Sequence, residues 1–153
     1  MIPRTESTIE EVVLKPRRVS TKRAGGSSFH FSVLSAVGDR AGNVGIALAK
    51  STDMSSAIRK SLAKAKSSMV KIYITDSFSI PHEIRIKNGA AQLYLKPAPL
   101  GTGIIAGSVI RQILDIAGIR NISAKVLGTN NQINNAYTLM KALKSVKKSE
   151  EKE

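Results

Sequence analysis

The chain contains no cysteine, which excludes disulfide staples, thiolate zinc sites and cysteine nucleophiles and leaves the redox compartment open beyond compatibility with the cytosol. Acids are scarce: 11 Asp and Glu stand against 24 Lys and Arg. Glu6, Glu10, Glu11, Glu150, Glu151 and Glu153 sit at the two ends, leaving Asp39, Asp53, Asp76, Glu83 and Asp115 between them. Asp39 falls in the turn-forming GDRAGN and Asp53 at a helix-cap position, so neither makes a convincing half of a general acid/base pair. Two histidines, His30 and His82, lie far apart in strand-like runs. They are too few for a metal centre, and neither a metal nor a cofactor is expected. Three Phe and three Tyr supply too few platforms for stacking single-stranded bases. No run approaches the roughly 20 apolar residues of a membrane span, so no membrane partner is expected. The opening MIPRTESTIEEVVLK lacks the basic and apolar regions of a signal peptide, and its acids argue against a transit peptide, making a cytoplasmic protein the expectation.

What is present is positive charge on a chain able to fold. The 153 residues are 42% hydrophobic, enough for a core, and carry a formal net charge of +13 with a pI near 10.3. Such an excess points to a polyanionic partner, with nucleic acid first. The cations Lys15, Arg17, Arg18, Lys22 and Arg23 crowd ahead of a Gly25-Gly26-Ser27-Ser28 loop, a mobile composition that fits a finger threading among phosphates. With few aromatics, recognition of folded RNA by shape and phosphate is the expected mode. His30 then reads as a sheet residue or an RNA contact. The polar GTNNQINN stretch, with Thr129, Asn130, Asn131 and Asn134, suits hydrogen bonding to sugar and phosphate.

Periodicity predicts an α+β chain in two units. Residues 11–21 read as extended, and Phe29, Phe31, Val33 and Val37 fall on one face of a strand that turns through GDRAGN into VGIALAK. A helix capped by Thr52 or Asp53 follows, with Met54, Ala57, Ile58, Leu62, Ala65 and Met69 inward and cations such as Lys60 and Lys64 outward. This makes a small antiparallel sheet plus helix over 11–74, after a tail at 1–10. TDSFSIP supplies a linker at 75–81. In the second unit, 82–146, Asn88-Gly89 marks a tight hairpin, and a helix buries Ile105, Val109, Ile113, Leu114 and Ala117 before stopping at Gly118. IRNISAKVL alternates as a strand, and Ala136, Met140, Leu143 and Val146 mark a last helix before a charged tail at 147–153.

The stretch KPAPLGTGIIAGSVIRQIL matches the dinucleotide template G-x-G-x-x-G/A at Gly101, Gly103 and Ala106. That template needs a strand running into the turn and an acid about 20 residues on. Here Pro97 and Pro99 interrupt the approach, and RNISAK stands where the acid should be. No Gly-Lys-Ser/Thr follows, so a P-loop is excluded and no small-molecule substrate is expected. A structural turn or docking surface is the stronger reading, with the N–H groups of the next helix able to hold one backbone phosphate.

RVSTKRAGGSSFHFSVLSAVGD with GNVG, the AIRKSLAKAK helix, and above all KPAPLGTGIIAGSVIRQILDIAGI followed by AKVLGTNNQIN resemble the family of small ribosomal subunit protein five, from about Glu11 to Val146. The resemblance implies an N-terminal domain like double-stranded-RNA-binding folds and a C-terminal α+β domain, both docked on small-subunit ribosomal RNA. It implies that Ser20 to Ser28, Thr21 included, reach toward RNA beside the spectinomycin site, and that GTGIIAG is a close-packing turn at a protein and RNA junction, with no nucleotide bound. Gly101, Gly103 and Arg111 would face ribosomal protein four near the path by which mRNA enters. Ribosomal protein eight would be a second neighbour. Lys50, Lys60, Lys64, Lys96 and Thr102 complete the expected RNA contacts, and the implied role is structural, with decoding accuracy set partly at the protein interface. Ala24 and Ser27 stand where the family usually has basic residues, so the tip should hold RNA less tightly. Gln132 replaces a usual Pro, which leaves its loop less rigid, and Tyr137 replaces an Arg. Two other readings compete: a free-standing double-stranded-RNA-binding protein and a small nucleotide-dependent enzyme.

Overall fold

The computed structural model describes residues 8–146; both the expected tail at 147–153 and most of that at 1–10 lie outside the described residues. The chain runs β1 (Glu10–Arg23), β2 (Gly26–Gly38), β3 (Asn43–Ser51), α1 (Met54–Ser67), β4 (Val70–Lys71), β5 (Ile84–Asn88), β6 (Ala91–Pro97), β7 (Ile104–Ile105), α2 (Ser108–Ala117), β8 (Ile122–Leu127) and α3 (Gln132–Ser145). Two four-stranded sheets result, in the orders β1-β2-β3-β4 and β5-β6-β8-β7. The fold is α+β, antiparallel throughout except for the β7/β8 pair.

The first sheet is covered on both sides where β2 and β3 pair. Alternation places Val33, Ser35 and Val37 on the side of α1, where the Ser35 and Ser61 hydroxyls lie 2.7 Å apart and Ala65 packs beside Val37. The opposite face, carrying Leu34, Ala36, Val44 and Ile46, joins one hydrophobic cluster with Ile113, Leu114 and Ile116 of α2 and Leu139 and Leu143 of α3. Strand β2 is thus buried on both faces, and a fully buried side chain such as Leu34 contributes about 1.5–3 kcal/mol.

Helix α2 ties the two sheets together. Its carbonyls at Ile116 and Ala117 have no helical N–H to accept from. They accept instead from the Arg40 N–H at 2.9 Å and the Gly42 N–H at 3.0 Å, both in the β2–β3 turn. Gly118 ends the helix at φ +97° with the Arg40 carbonyl pressed against the space a Cβ would fill. Both the left-handed conformation and the close approach require glycine there.

Several expectations need correction. Phe29 does not join the buried face of β2, being 46% exposed beyond the point where β3 stops. The hairpin turn sits one residue later than Asn88-Gly89: Asn88 pairs with Ala91, so Gly89 (φ +61°) and Ala90 form it, with glycine at the first central position as type II′ turns require. Ile105 is 56% exposed in β7, not on the helix. The polar stretch 128–135 is only half loop, because α3 starts at Gln132 and Asn131 caps it by accepting from the Ile133 N–H at 3.2 Å. The segment at 75–81 is packed, with Ser79 and Ile80 buried. Its polar groups bond inward: Thr75 Oγ1 donates to the Ser79 carbonyl at 3.1 Å, and the Phe78 carbonyl accepts from the Arg120 N–H at 2.8 Å.

Candidate nucleic-acid interface

The β1–β2 hairpin outgrows the sheet that supports it. Pairing of β2 with β3 begins at Phe31, so the pairs from Val19–His30 to Arg23–Gly26 form a two-stranded arm with no third strand. Five pairs at about 3.4 Å per residue give a reach of about 17 Å. The expected loop at Gly25–Ser28 is therefore mostly strand, since Lys22 pairs with Ser27 and Thr21 with Ser28, and only Ala24 and Gly25 form the turn. Hairpin pairing satisfies the backbone and stiffens what composition alone describes as mobile.

The register divides the cations between two faces. A bulge at Leu14 resets the alternation, so Lys15, Arg17, Thr21 and Arg23 share the face of His30 and Ser28, while Arg18, Ser20 and Lys22 share that of Phe29 and Phe31. On the first face Arg17, Ser32 and Lys50 form one row across three strands. Lys15 and Arg17 line a cleft with Asn130, Asn131, Gln132 and Ile133, bringing together two groups over 100 residues apart in the chain. On the second face the Arg18 guanidinium lies 4.2 Å from the Phe29 ring centroid, a cation–π contact that holds the cation over an otherwise exposed ring. The exposed Lys60 and Lys64 of α1 stand on this same, helix-covered side. Lys96, on the outer face of the second sheet, and Thr102, whose hydroxyl donates to the Pro99 carbonyl at 2.8 Å, are not brought to either face.

Within the 128–131 loop, Asn131 N–H donates to Thr129 Oγ1 at 3.2 Å and Asn135 Nδ2 to the Thr129 carbonyl at 3.1 Å. These bonds fix the loop and use the Thr129 and Asn131 side chains internally. Asn130 and Asn134 keep side chains without an internal partner among the described residues. Ser28 Oγ on the arm is enclosed by its neighbours, with no hydrogen-bond partner among the described residues.

In the glycine loop a Cβ at Gly101, Gly103 or Gly107 would meet nothing within 4 Å in this chain, so the fold's own packing does not require glycine there. Gly101 and Gly103 are glycines because their φ angles are +95° and +79°. Their N–H groups donate to the one Asn121 Oδ1, at 3.1 and 3.3 Å, and Asn121 Nδ2 donates to the Ser77 carbonyl at 2.7 Å. Nothing in the spacing signalled Asn121, a buried residue that clamps the loop. The glycines precede strand β7 instead of following a strand into a helix, so the geometry of a dinucleotide loop is absent. Beside them Arg111 lines a shallow groove with Ile104, Ala106, Gln112 and Arg120.

Several of the described acids are engaged within the fold. Glu10 and Asp115 bracket Arg40 at 2.8 and 3.3 Å, and Glu11 pairs with Lys66. Partial burial opposes the charge of Asp39, but hydrogen bonds from the Asn43 side chain and the Ala41 and Asn43 N–H groups outweigh it and hold its carboxyl below the ordinary value. His82 Nδ1 lies 3.0 Å from the Glu83 carbonyl, and His30 is half-buried on the arm.

Comparison with known proteins aligns with both halves of this architecture. A family model described as ribosomal protein S5, N-terminal domain, matches residues 9–73, and one described as ribosomal protein S5, C-terminal domain, matches residues 86–153. The chain is 47% identical over 141 residues to small ribosomal subunit protein uS5 of Chlamydia felis, covering 92% of this chain and 86% of that one. It is 42% identical over 151 residues to the uS5 of Fusobacterium nucleatum, covering 99% and 92%, and 41% identical over 142 residues to that of Acaryochloris marina, covering 93% and 80%.

Proposed function

The chain belongs to the ribosomal protein S5 family, and from that premise we propose how it serves as a structural constituent of the small ribosomal subunit. The observation that carries the reading is the arm: Lys22 and Arg23 project on two paired strands with no third strand beside them, and Arg17 and Arg18 stand at its base, where β3 begins to pair. Cations so placed release counterions when they meet phosphates, and the paired backbone fixes their spacing. On one side Lys15 and Arg17 meet Asn130 across a cleft that suits a folded RNA backbone, with the asparagine amide available to sugar or phosphate oxygens and Lys50 in the same row as Arg17. On the other, Arg18 and Lys22 continue toward the Lys60 and Lys64 face of α1. An arm with charge on both sides fits insertion between RNA segments better than docking on one duplex.

The partner is small-subunit ribosomal RNA. The exposed turn at Gly101–Gly103, with Arg111 beside it, forms the interface toward ribosomal protein four; ribosomal protein eight is a second neighbour. Contributions to decoding accuracy, to the mRNA path and to the surroundings of the spectinomycin site follow from that placement. The role needs no catalytic step. Sedimentation of a native lysate at low and high magnesium tests it. Near-stoichiometric recovery of the chain in the small-subunit peak is expected, and a mostly free pool overturns the reading in favour of a free-standing RNA-binding protein.

A further inference from the structure

The second sheet buries one face and leaves the other open. Leu93 and Leu95 of β6 enter the core beneath α2 and α3, so Gln92, Tyr94 and Lys96 point to the opposite side. The register sets Arg85 and Lys125 on either side of Tyr94, Lys87 beside Gln92, and Lys96 beside Ser123. Four cations from three strands therefore share one exposed face, and among the described residues none is paired with a carboxylate. The neighbouring acid, Glu83, is already engaged: its Oε2 accepts the Tyr94 hydroxyl hydrogen at 2.8 Å. Arg85 and Lys125 stand two strand spacings apart, about 10 Å, close to one Debye length at about 0.1 M salt. They repel, and an anion laid across the face relieves that repulsion.

Resting on the ribosomal reading above, we propose that this outer face, centred on Tyr94 and ringed by Arg85, Lys87, Lys96 and Lys125, is a second RNA-binding surface separate from the hairpin arm. The occupant is an RNA backbone, because the face offers four positive groups against one acid that is internally bonded. An acidic protein would satisfy the charge but not the shape of the site. The cations stand in rows across a continuous strand surface, suited to successive phosphates, and Tyr94 between them gives an apolar ring edge for a ribose. The exposed apolar groups Ile105 and Leu127 lie at the borders of the face, not at its centre where a protein interface would place them. Of these cations only Lys96 was singled out from the sequence; the others are single residues alternating along β5 and β8 and form no run.

The test uses the full chain and ribosomal RNA purified from small subunits, with affinity measured against salt for wild type, for a sheet variant (Arg85→Ala, Lys87→Ala, Lys125→Ala) and for an arm variant (Lys22→Ala, Arg23→Ala). The sheet variant is expected to flatten the log–log salt slope by about 2–3 and the arm variant by about 1.5, each additive with the other. An unchanged slope in the sheet variant with a reduced slope in the arm variant overturns the second surface while leaving the ribosomal reading intact. Wild-type chain that prefers generic duplex RNA overturns both. In assembled subunits, a photo-crosslinking residue at Gln92 is expected to capture RNA; capture of a ribosomal protein instead overturns the proposal.

Discussion

Strand β2 has two different environments along its length. From Val33 to Gly38 it is buried on both faces, between α1 on one side and α2 on the other; from Gly26 to His30 it has one paired neighbour and side chains largely open to solvent. The first stretch is apolar and holds the protein together, and the second carries the strand partner of the cationic β1 arm. The difference separates the requirements of stability from those of binding along a single element. A rigid base positions the arm, while the arm itself, a two-stranded ribbon with no core, is marginal until a partner covers it.

The largest expected effect lies at the base. Leu34→Ala removes a side chain with no exposed surface and should cost about 2–5 kcal/mol, read as a lower urea midpoint, while leaving the salt slope of RNA binding unchanged in the folded fraction. A slope that fell with stability would mean that base and arm are not separable. Next comes Gly118→Ala, which adds a Cβ against the Arg40 carbonyl at a left-handed position; strain and overpacking together should cost about 2–4 kcal/mol. The same reasoning guides the choice of probe for the proposed interface toward ribosomal protein four. Gly103→Arg would change a residue at φ +79° and so mix backbone strain with surface chemistry, whereas Arg111→Ala alters the groove alone. Arg111→Ala should raise reporter miscoding with little change in RNA affinity, and miscoding at the wild-type level would remove Arg111 from that interface.

Legibility follows the range of the interaction responsible. The alternation in β2, the helical spacing of Ala57 and Ala65, and the helix stop at Gly118 are local and were readable in the sequence. The burial of Leu34 and Ala36 was not, because what covers them is α2, about 75 residues away. Nor was the true length of the arm: Gly25-Gly26-Ser27-Ser28 has the composition of a loop, and only pairing with Thr21 and Lys22 makes most of it strand. The cationic cluster of β1 was visible as a run, yet its division between two faces depends on the bulge at Leu14. In the glycine loop the template spacing drew attention to Gly101 and Gly103, but the φ angles of +95° and +79° that require glycine within the chain were not readable from that spacing.

Asp39 probes the base by pH. Its folded carboxyl titrates below the ordinary value of 3.8, so its contribution is fully present above that value and is lost as pH falls through the lower folded pKa. Asp39→Ala should cost about 1–2 kcal/mol at neutral pH through the lost hydrogen bonds to Ala41 and Asn43. The gap between variant and wild type should close as both are taken to strong acid. Urea denaturation at pH 7, 4 and 2 measures it. A gap constant with pH would assign the loss to packing and not to the carboxylate.

The smallest expected effect on stability sharpens the comparison most. Gly25 stands in the turn of the arm with nothing within 4 Å of an added Cβ and without the positive φ of its neighbour Gly26. The fold therefore makes no demand for glycine there, and Gly25→Ala should change stability by less than about 0.5 kcal/mol. If the arm tip lies against a phosphate backbone, a methyl group at this position occupies space the RNA needs, and affinity for small-subunit ribosomal RNA should fall several-fold while the salt slope, set by the unchanged cations, stays the same. Gly26→Ala provides the contrast: at φ +136° it strains the turn itself and should weaken both the hairpin and binding. A Gly25→Ala chain that binds RNA as wild type does would place the tip in solvent and move the contact back along the strands to Arg17, Arg18 and Lys22.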